Sequence, residues 1–220
     1  MKNIKGLKQE TINKHPALKS FLNRIAPPEF IEVPTNKNEA RIIAKCEWKH
    51  PAGTIKAKVA LAMIWKMLDE FEGNLNDITV IEYSGGGLSL TLAELCHDLK
   101  IKVVLVLMEV TPKSVLQRLA DLGAEVVLTA KERGFWGVME EAIMLSKQNP
   151  DWKFLYQHQN EANFEFHKAI TGSEITNSSI GKIDTWVASI GTGGTLTGVY
   201  AKLKEYYPDV QLHTNMPSEM

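Results

Sequence analysis

The chain has few cysteines, no long apolar run and almost no net charge, and each shortage excludes a class of protein. Its 220 residues include only Cys46 and Cys96, with no CxxC spacing, so we expect neither a disulfide framework nor a metal site. No apolar run approaches the ~18 residues that span a bilayer, so no membrane partner is expected. The 25 basic residues nearly balance the 26 acidic ones, which argues against a nucleic-acid partner. The charged N-terminus leads into no apolar stretch, so we predict no secretory signal and expect a cytoplasmic protein.

Short apolar runs alternate with amphipathic stretches through the rest of the sequence. The predicted strands are 41–47, 78–83, 102–107, 125–129, 152–157, 185–190 and 210–214. The predicted helices are 56–72, 88–99, 112–122, 135–148, 160–176 and 196–206. Alternation of this kind with mostly apolar strands is typical of an α/β fold with a parallel sheet. The first forty residues, with a helical pattern around Leu18 and Phe21, predict an arm that wraps the main body.

Two glycine-rich segments each join a predicted strand to a predicted helix. In the first, the backbone amides of Gly191, Thr192, Gly193, Gly194 and Thr195 would form an anion site, and the two threonines add hydroxyls. It matches neither GxGxxG nor a P-loop, and a plain strand-to-helix turn is the alternative. The second comprises Ser84, Gly85, Gly86, Gly87 and Leu88, whose amides could hold a carboxylate or form only a flexible turn.

One lysine opens a predicted helix. Lys56 ends the segment His-Pro-Ala-Gly-Thr-Ile-Lys, where the helix dipole disfavours positive charge and would lower the amine's pKa if the side chain were buried. A Schiff-base lysine needs that property. Taken by itself, however, this residue is most simply a solvated lysine on an amphipathic helix.

Together these motifs resemble the β-family (fold type II) of pyridoxal-phosphate enzymes, within it the cysteine synthase and cystathionine β-synthase group. The lysine segment is similar to the family's Asn-Pro-x-Gly-Ser-x-Lys, and residues 191–198 reproduce its Gly-Thr-Gly-Gly-Thr-Leu-Thr-Gly. Residues 122–129 and 157–175 follow two further family stretches, the second of which begins Gln-Phe-x-Asn. The resemblance extends from about residue 41 to the C-terminus.

The resemblance implies a fold, a cofactor and roles for residues. It implies two three-layer αβα domains with mostly parallel sheets, residues 1–49 and 158–220 forming the larger and 50–157 a smaller, mobile one. Lys56 would bind pyridoxal 5'-phosphate as a Schiff base and later move the substrate α-proton. The 191–195 loop would hold the cofactor phosphate, and Gly87 would lie beside the cofactor ring. The residues implied for binding the α-carboxylate of a small amino-acid substrate are Ser84, Gly85, Gly86, Leu88 and Gln157.

The sequence also departs from the family. The family loop Thr-Ser-Gly-Asn-Thr-Gly aligns with residues 84–89, so Gly87 replaces the asparagine that binds the cofactor's ring oxygen. Gly85 and Leu88 replace two residues whose hydroxyls bind the carboxylate. The C-terminal part of the larger domain, with its partner for the pyridine nitrogen, is absent, so we expect an incomplete sheet near 210–214.

Three functional hypotheses therefore stay open. The first is an enzyme that catalyses β-replacement or β-elimination on a serine-, O-acetylserine- or cysteine-like amino acid. The second is a homologue that keeps the cofactor site with little turnover. The third is a non-functional fragment of a longer chain, which needs its own C-terminal part or a partner to complete the sheet.

Overall fold

The computed structural model describes residues 4–36 and 39–215, which form a four-stranded parallel sheet, two two-stranded sheets and the helices packed on them. The strands are β1 (Glu29–Val33), β2 (Ile42–Cys46), β3 (Thr79–Tyr83), β4 (Lys102–Met108), β5 (Glu125–Thr129), β6 (Lys153–Phe154), β7 (Thr185–Val187) and β8 (Gln211–His213). The α-helices are α1 (Gln9–Lys14), α2 (Pro16–Asn23), α3 (Lys56–Glu70), α4 (Gly87–Leu99), α5 (Lys113–Asp121), α6 (Gly134–Gln148), α7 (Glu161–Phe166), α8 (Gly172–Thr176) and α9 (Gly194–Lys204). A π turn, His167–Thr171, joins α7 to α8.

The four-stranded sheet has the order β5-β4-β3-β6, with every neighbouring pair parallel. Alternate residues of β3 and β4 enter two different cores. Val80 and Val103 pack in the core that contains α3 and α4, whereas Ile81 and Val104 pack in the core that contains α6. Fully burying side chains of this size contributes about 1.5–3 kcal/mol each. The parallel α/β class predicted from the sequence is confirmed.

The N-terminal arm packs on α3 and α4. Leu18 and Phe21 of α2 are fully buried in the same core as those helices. Trp65 of α3 donates its indole N–H to the carbonyl of Lys8 at 2.9 Å. The predicted arm is confirmed, and it contains one more helix, α1, than its apolar pattern predicted.

A second packed region combines β7 and β8 with α8 and α9. Val199 and Val210 are buried there, and the indole N–H of Trp186 donates to the carbonyl of Leu196 at 3.0 Å. The opposite face of these two parallel strands is exposed, with Val187 59% accessible. The hairpin of β1 and β2 is antiparallel, in contrast to the mostly parallel pairing elsewhere.

Three of the differences from the sequence predictions have a local reason. The predicted strand 152–157 shortens to β6, and Tyr156, just beyond it, has φ +50°, which is incompatible with an extended strand. Pro112 precedes α5 in an extended conformation instead of occupying its first turn. The predicted helix 160–176 contains the π turn. No helix in the described part of the chain is both long and apolar enough to cross a bilayer.

Candidate functional site

The three predicted motifs meet at the start of α3. A Cβ built on Gly191 would lie 4.0 Å from the Nζ of Lys56, and one built on Gly87 would lie 2.8 Å from the Oγ1 of Thr54. The Lys56 turn therefore lies between the two glycine loops. A cavity of about 610 Å³ opens beside it, and its lining includes Lys56, Thr171, residues 186–193 and Thr195. That volume lies within the range of cofactor and ligand pockets.

The 191–195 loop presents free amide groups at the start of α9. Gly193 has φ +82°, a left-handed conformation that favours glycine, and it turns the chain from the loop into the helix. Within the described residues, no acceptor lies in hydrogen-bonding range of the N–H groups of Gly191, Thr192, Gly193 or Thr195. Unpaired amides at the positive end of a helix dipole suit a phosphate group. The loop therefore fits the phosphate that the sequence resemblance places there.

Two buried side chains from α7 and the π turn hold this loop. The amide of Asn163 donates to the Oγ1 of Thr192 at 2.8 Å. His167 bonds to the Oγ1 of Thr195 at 3.0 Å through one ring nitrogen and to the Oγ1 of Thr171 at 2.9 Å through the other. Burial lowers the pKa of His167 to about 3, so its ring stays neutral. Both residues lie in the 157–175 stretch that resembles the family, but the sequence did not show which groups they contact.

Asn163 approaches the backbone at position 194 so closely that only glycine fits there. A Cβ at Gly194 would lie 2.3 Å from the Oδ1 of Asn163, closer than any stable contact. That oxygen is buried and has no hydrogen-bond partner in the described part of the chain. The loop and its support therefore leave room for no side chain at this position.

Lys56 lies in the first turn of α3. Its backbone N–H donates to the Oγ1 of Thr54 at 3.0 Å, which fixes the start of the helix. Burial lowers the pKa of the Lys56 amine, and the nearby Glu82 carboxyl opposes that shift. A lowered pKa increases the neutral, nucleophilic fraction of the amine, which is what Schiff-base chemistry requires.

Glu82 is a fully buried carboxyl at the end of β3. It accepts hydrogen bonds from the backbone N–H groups of Tyr83 and Gln157, both at 3.1 Å. Burial raises its pKa to about 8 despite these donors. Sequence reasoning also missed this residue, whose signal was an acidic residue inside an otherwise apolar strand.

The 84–88 loop begins α4 and also presents backbone donors. The Oγ of Ser84 accepts from the N–H groups of Gly86 and Ser89 at 3.0 and 3.2 Å, so this hydroxyl supports the loop. In the described residues, the N–H groups of Gly85, Gly87 and Leu88 find no acceptor. The Leu88 side chain is buried. The loop therefore offers a carboxylate three amides in place of the hydroxyls that the family pattern provides.

Gln157 is buried beneath this loop. Its side-chain amide donates to the carbonyl of Tyr83 at 2.6 Å and, at 3.5 Å, to Glu82. Gln157 therefore ties the segment after β6 to the end of β3. Its contact with the substrate carboxylate stays a prediction.

A buried charged cluster lies beside the Lys56 turn. Lys58, fully inaccessible, pairs with Glu47 at 3.2 Å and with Glu174 at 2.7 Å. Burial lowers the pKa of Lys58, against the opposing effect of both carboxylates. Lys45 pairs with the same two carboxylates. Burial would raise the pKa of Glu47, but a hydrogen bond from His50 and the two lysines lower it to about 2. The cluster thus joins β2, α3 and α8 through paired charges.

Comparison with known proteins places this geometry in a family. Residues 23–217 match the family model described as pyridoxal-phosphate dependent enzyme. A cysteine synthase of Staphylococcus aureus is 34% identical over 177 residues, which are 80% of this chain and 56% of that protein. A probable cysteine synthase of Bacillus subtilis is 34% identical over 201 residues, 90% of this chain and 61% of that protein. The chain thus spans little more than half the length of the curated relatives it matches.

Solved structures agree with the sequence comparison. A hydrogen sulfide-producing enzyme from Fusobacterium nucleatum superimposes with a TM-score of 0.81 at 26% identity, covering 90% of this chain and 61% of that one. This likeness confirms the fold type II architecture, present here in part. The family description also confirms pyridoxal phosphate as the family's cofactor. The chain belongs to the pyridoxal-phosphate-dependent enzyme family.

Proposed function

We propose that this chain carries the cofactor site of a cysteine synthase-like enzyme, which catalyses β-replacement or β-elimination on a serine-, O-acetylserine- or cysteine-like amino acid. The observation that carries the proposal is the convergence of Lys56 with the free amides of the 191–195 loop. A nucleophilic amine beside a phosphate cradle is the arrangement that covalent binding of pyridoxal phosphate requires. The named relatives that are cysteine synthases support the choice of reaction.

Each group in the site has a distinct role under this proposal. Gly191, Thr192, Gly193, Gly194 and Thr195 hold the cofactor phosphate. Lys56 would hold the cofactor covalently, and its Nζ, once displaced by the amine of the substrate, would accept and return the α-proton. The amides of the 84–88 loop bind the substrate carboxylate, while Gln157 and Glu82 hold the loop's base. Bound pyridoxal phosphate supplies an electron sink for the negative charge that develops at the substrate's Cα.

The direct test is cofactor binding. Adding pyridoxal phosphate to the purified protein is expected to produce the visible absorption of a lysine-bound cofactor. Lys56→Ala should remove it, whereas Lys66→Ala, on the same helix at the surface, should leave it unchanged. A band that survives Lys56→Ala would exclude Lys56 from this role.

A cofactor-binding homologue with little turnover is the second candidate. The observation that favours it is the 84–88 loop, where two hydroxyl ligands and an asparagine of the family pattern are missing. Incubating the loaded protein with O-acetylserine and sulfide separates the candidates. Cofactor binding without cysteine formation would favour this second function.

The domain division stays part of the proposal. We assign residues 50–157 to a smaller, mobile domain because β3 to β6 all lie within that range. Residues 1–49 and 158–220 would form the larger domain, to which the other two sheets belong. Hydrogen exchange with and without pyridoxal phosphate would test the assignment, since closure should protect 50–157.

Assembly and compartment are proposed on separate grounds. We propose a homodimer, or completion by a partner chain, because one face of the β7–β8 sheet is exposed. Light scattering at micromolar concentration tests this, and a monomer with a fully loaded cofactor site would contradict it.

We propose that the protein lies in the cytoplasm, because Cys46 and Cys96 are both buried and unpaired.

A further inference from the structure

A tyrosine–histidine pair lies beside the 84–88 loop and has no role in the site so far. The hydroxyl of Tyr83 is 2.6 Å from the Nδ1 of His158, with the two ring planes within 9° of parallel. Each partner adjoins a site residue in sequence, since Tyr83 precedes Ser84 and His158 follows Gln157. In the family stretch that residues 157–175 resemble, the position of His158 is a phenylalanine, which has no hydrogen-bond donor.

The direction of this hydrogen bond follows from burial. Tyr83 is completely inaccessible, and its hydroxyl has no other acceptor within reach in the described part of the chain. Burial also raises the pKa of Tyr83, so the hydroxyl keeps its proton and donates it to Nδ1. The neutral imidazole of His158 must then carry its own proton on Nε2. Tyr83 therefore fixes the tautomer that makes Nε2 a donor.

The neighbours of His158 place it at the substrate loop. Its ring is 6.1 Å from that of Phe135, and Phe135 itself lies 4.0 Å from the position of a Cβ on Gly85. Partial burial, and after it the positive charge of Lys56, lower the pKa of His158. In the described residues no acceptor lies within hydrogen-bonding range of its Nε2, and the side chain is exposed.

We propose that His158, oriented by Tyr83, is a specificity-determining residue whose Nε2–H donates to the carboxylate of the amino-acid substrate. This inference rests on the proposed function. It supplies a side-chain donor near Gly85, which replaces a residue with a hydroxyl in the family pattern. Tyr83 is the positioning residue, because it sets the ring orientation and tautomer without reaching the substrate.

The test uses the protein loaded with pyridoxal phosphate, two probes and four variants. L-serine carries the carboxylate and L-serinamide lacks it, and the binding of each is followed by the change in the cofactor's visible absorption. His158→Phe should weaken L-serine binding about 10- to 100-fold, the effect of losing a hydrogen bond to a charged group. Binding of L-serinamide and retention of the cofactor should stay within about twofold. His158→Gln, which keeps an N–H donor, should recover most of the loss, and Tyr83→Phe should cause a smaller loss than His158→Phe.

A second histidine, distant from the loop, serves as the control. His97→Phe, at the other end of α4, should change neither probe. Unchanged L-serine binding in His158→Phe would overturn the inference, and so would an equal loss for both probes, which would indicate a merely structural role. If the wild-type protein retains no cofactor, both the proposed function and this inference are overturned. If the cofactor is retained normally and His158→Phe still binds L-serine as wild type does, only the inference is overturned.

Discussion

The 191–195 loop and the 84–88 loop both lead into a helix whose first amides are unpaired, but their surroundings differ. The 191–195 loop is held by Asn163 and the neutral His167, and its sequence repeats the family pattern unchanged. The 84–88 loop rests on the buried carboxyl of Glu82 through Gln157, and it has lost side chains of the family pattern. The comparison indicates that the phosphate end of the site is constrained by packing, while the carboxylate end has room to change.

The largest expected effect is at the loop that packing constrains. Gly194→Ala would place a Cβ 2.3 Å from the Oδ1 of Asn163. Overpacking of this kind costs about 1–3 kcal/mol, so pyridoxal phosphate should bind about 10- to 100-fold more weakly in an absorbance titration. Gly86→Ala, in the other loop with no neighbour within 4 Å, is the control and should bind the cofactor normally. Equal losses in both variants would remove the difference between the loops.

Restoring the family asparagine should fail for a steric reason. Gly87→Asn brings a Cβ to 2.8 Å from both the Cγ2 and the Oγ1 of Thr54, so we expect a destabilisation of about 1–3 kcal/mol. For a chain of this size each kcal/mol lowers Tm by about 2–4 °C. Thr54→Ser removes the methyl group, so the double variant should regain part of the Tm in calorimetry. If the Gly87→Asn protein were as stable as wild type, the 84–88 loop could move away from Thr54 at no cost in stability, and the steric argument would be wrong.

The buried carboxyl beneath the 84–88 loop predicts a pH dependence. Burial raises the pKa of Glu82 from 4.5 to about 8, so between these values the folded state holds a proton that the unfolded state releases. The free energy of unfolding should therefore fall as pH rises through that window, by at most about 1.4 kcal/mol per pH unit. Glu82→Gln, which cannot ionise, should flatten the profile of urea midpoints between pH 5 and 8. Glu125→Gln, exposed at the start of β5, should leave the slope unchanged.

The smallest expected effect is a gain at the tolerant loop. Gly85→Ser places its Cβ at an ordinary 4.0 Å from Phe135 and returns a hydroxyl to the carboxylate site. One added hydrogen bond of about 0.5–1.5 kcal/mol should tighten L-serine binding to the loaded protein about two- to tenfold. Gly85→Ala, with the same Cβ and no hydroxyl, should not tighten it. If both variants bind alike, the hydroxyl is not what the loop lacks.

The sequence predicted those parts of the site that consist of a few consecutive residues. The Lys56 turn and both glycine loops are short segments, so their motifs are readable from neighbouring residues. Their supports are not, because they depend on contacts across the fold. Asn163 and Thr192 are 29 positions apart, and Tyr83 and His158 are 75 apart. The strand 152–157 was overestimated because nothing in its composition signals the positive φ of Tyr156.

The π turn between α7 and α8 sets the rotational phase of the residues that follow it. Asn163 and Glu174 are eleven positions apart, so about three turns of a regular α-helix would direct both side chains to the same side. The π turn takes up one additional residue and shifts the later positions by about 100°. Asn163 can then face the 191–195 loop while Glu174 faces Lys58. The segment from α7 to α8 therefore contacts two sites that lie in different directions. Deleting one residue from the π turn should break either the contact of Asn163 with the 191–195 loop or the ion pair of Glu174 with Lys58.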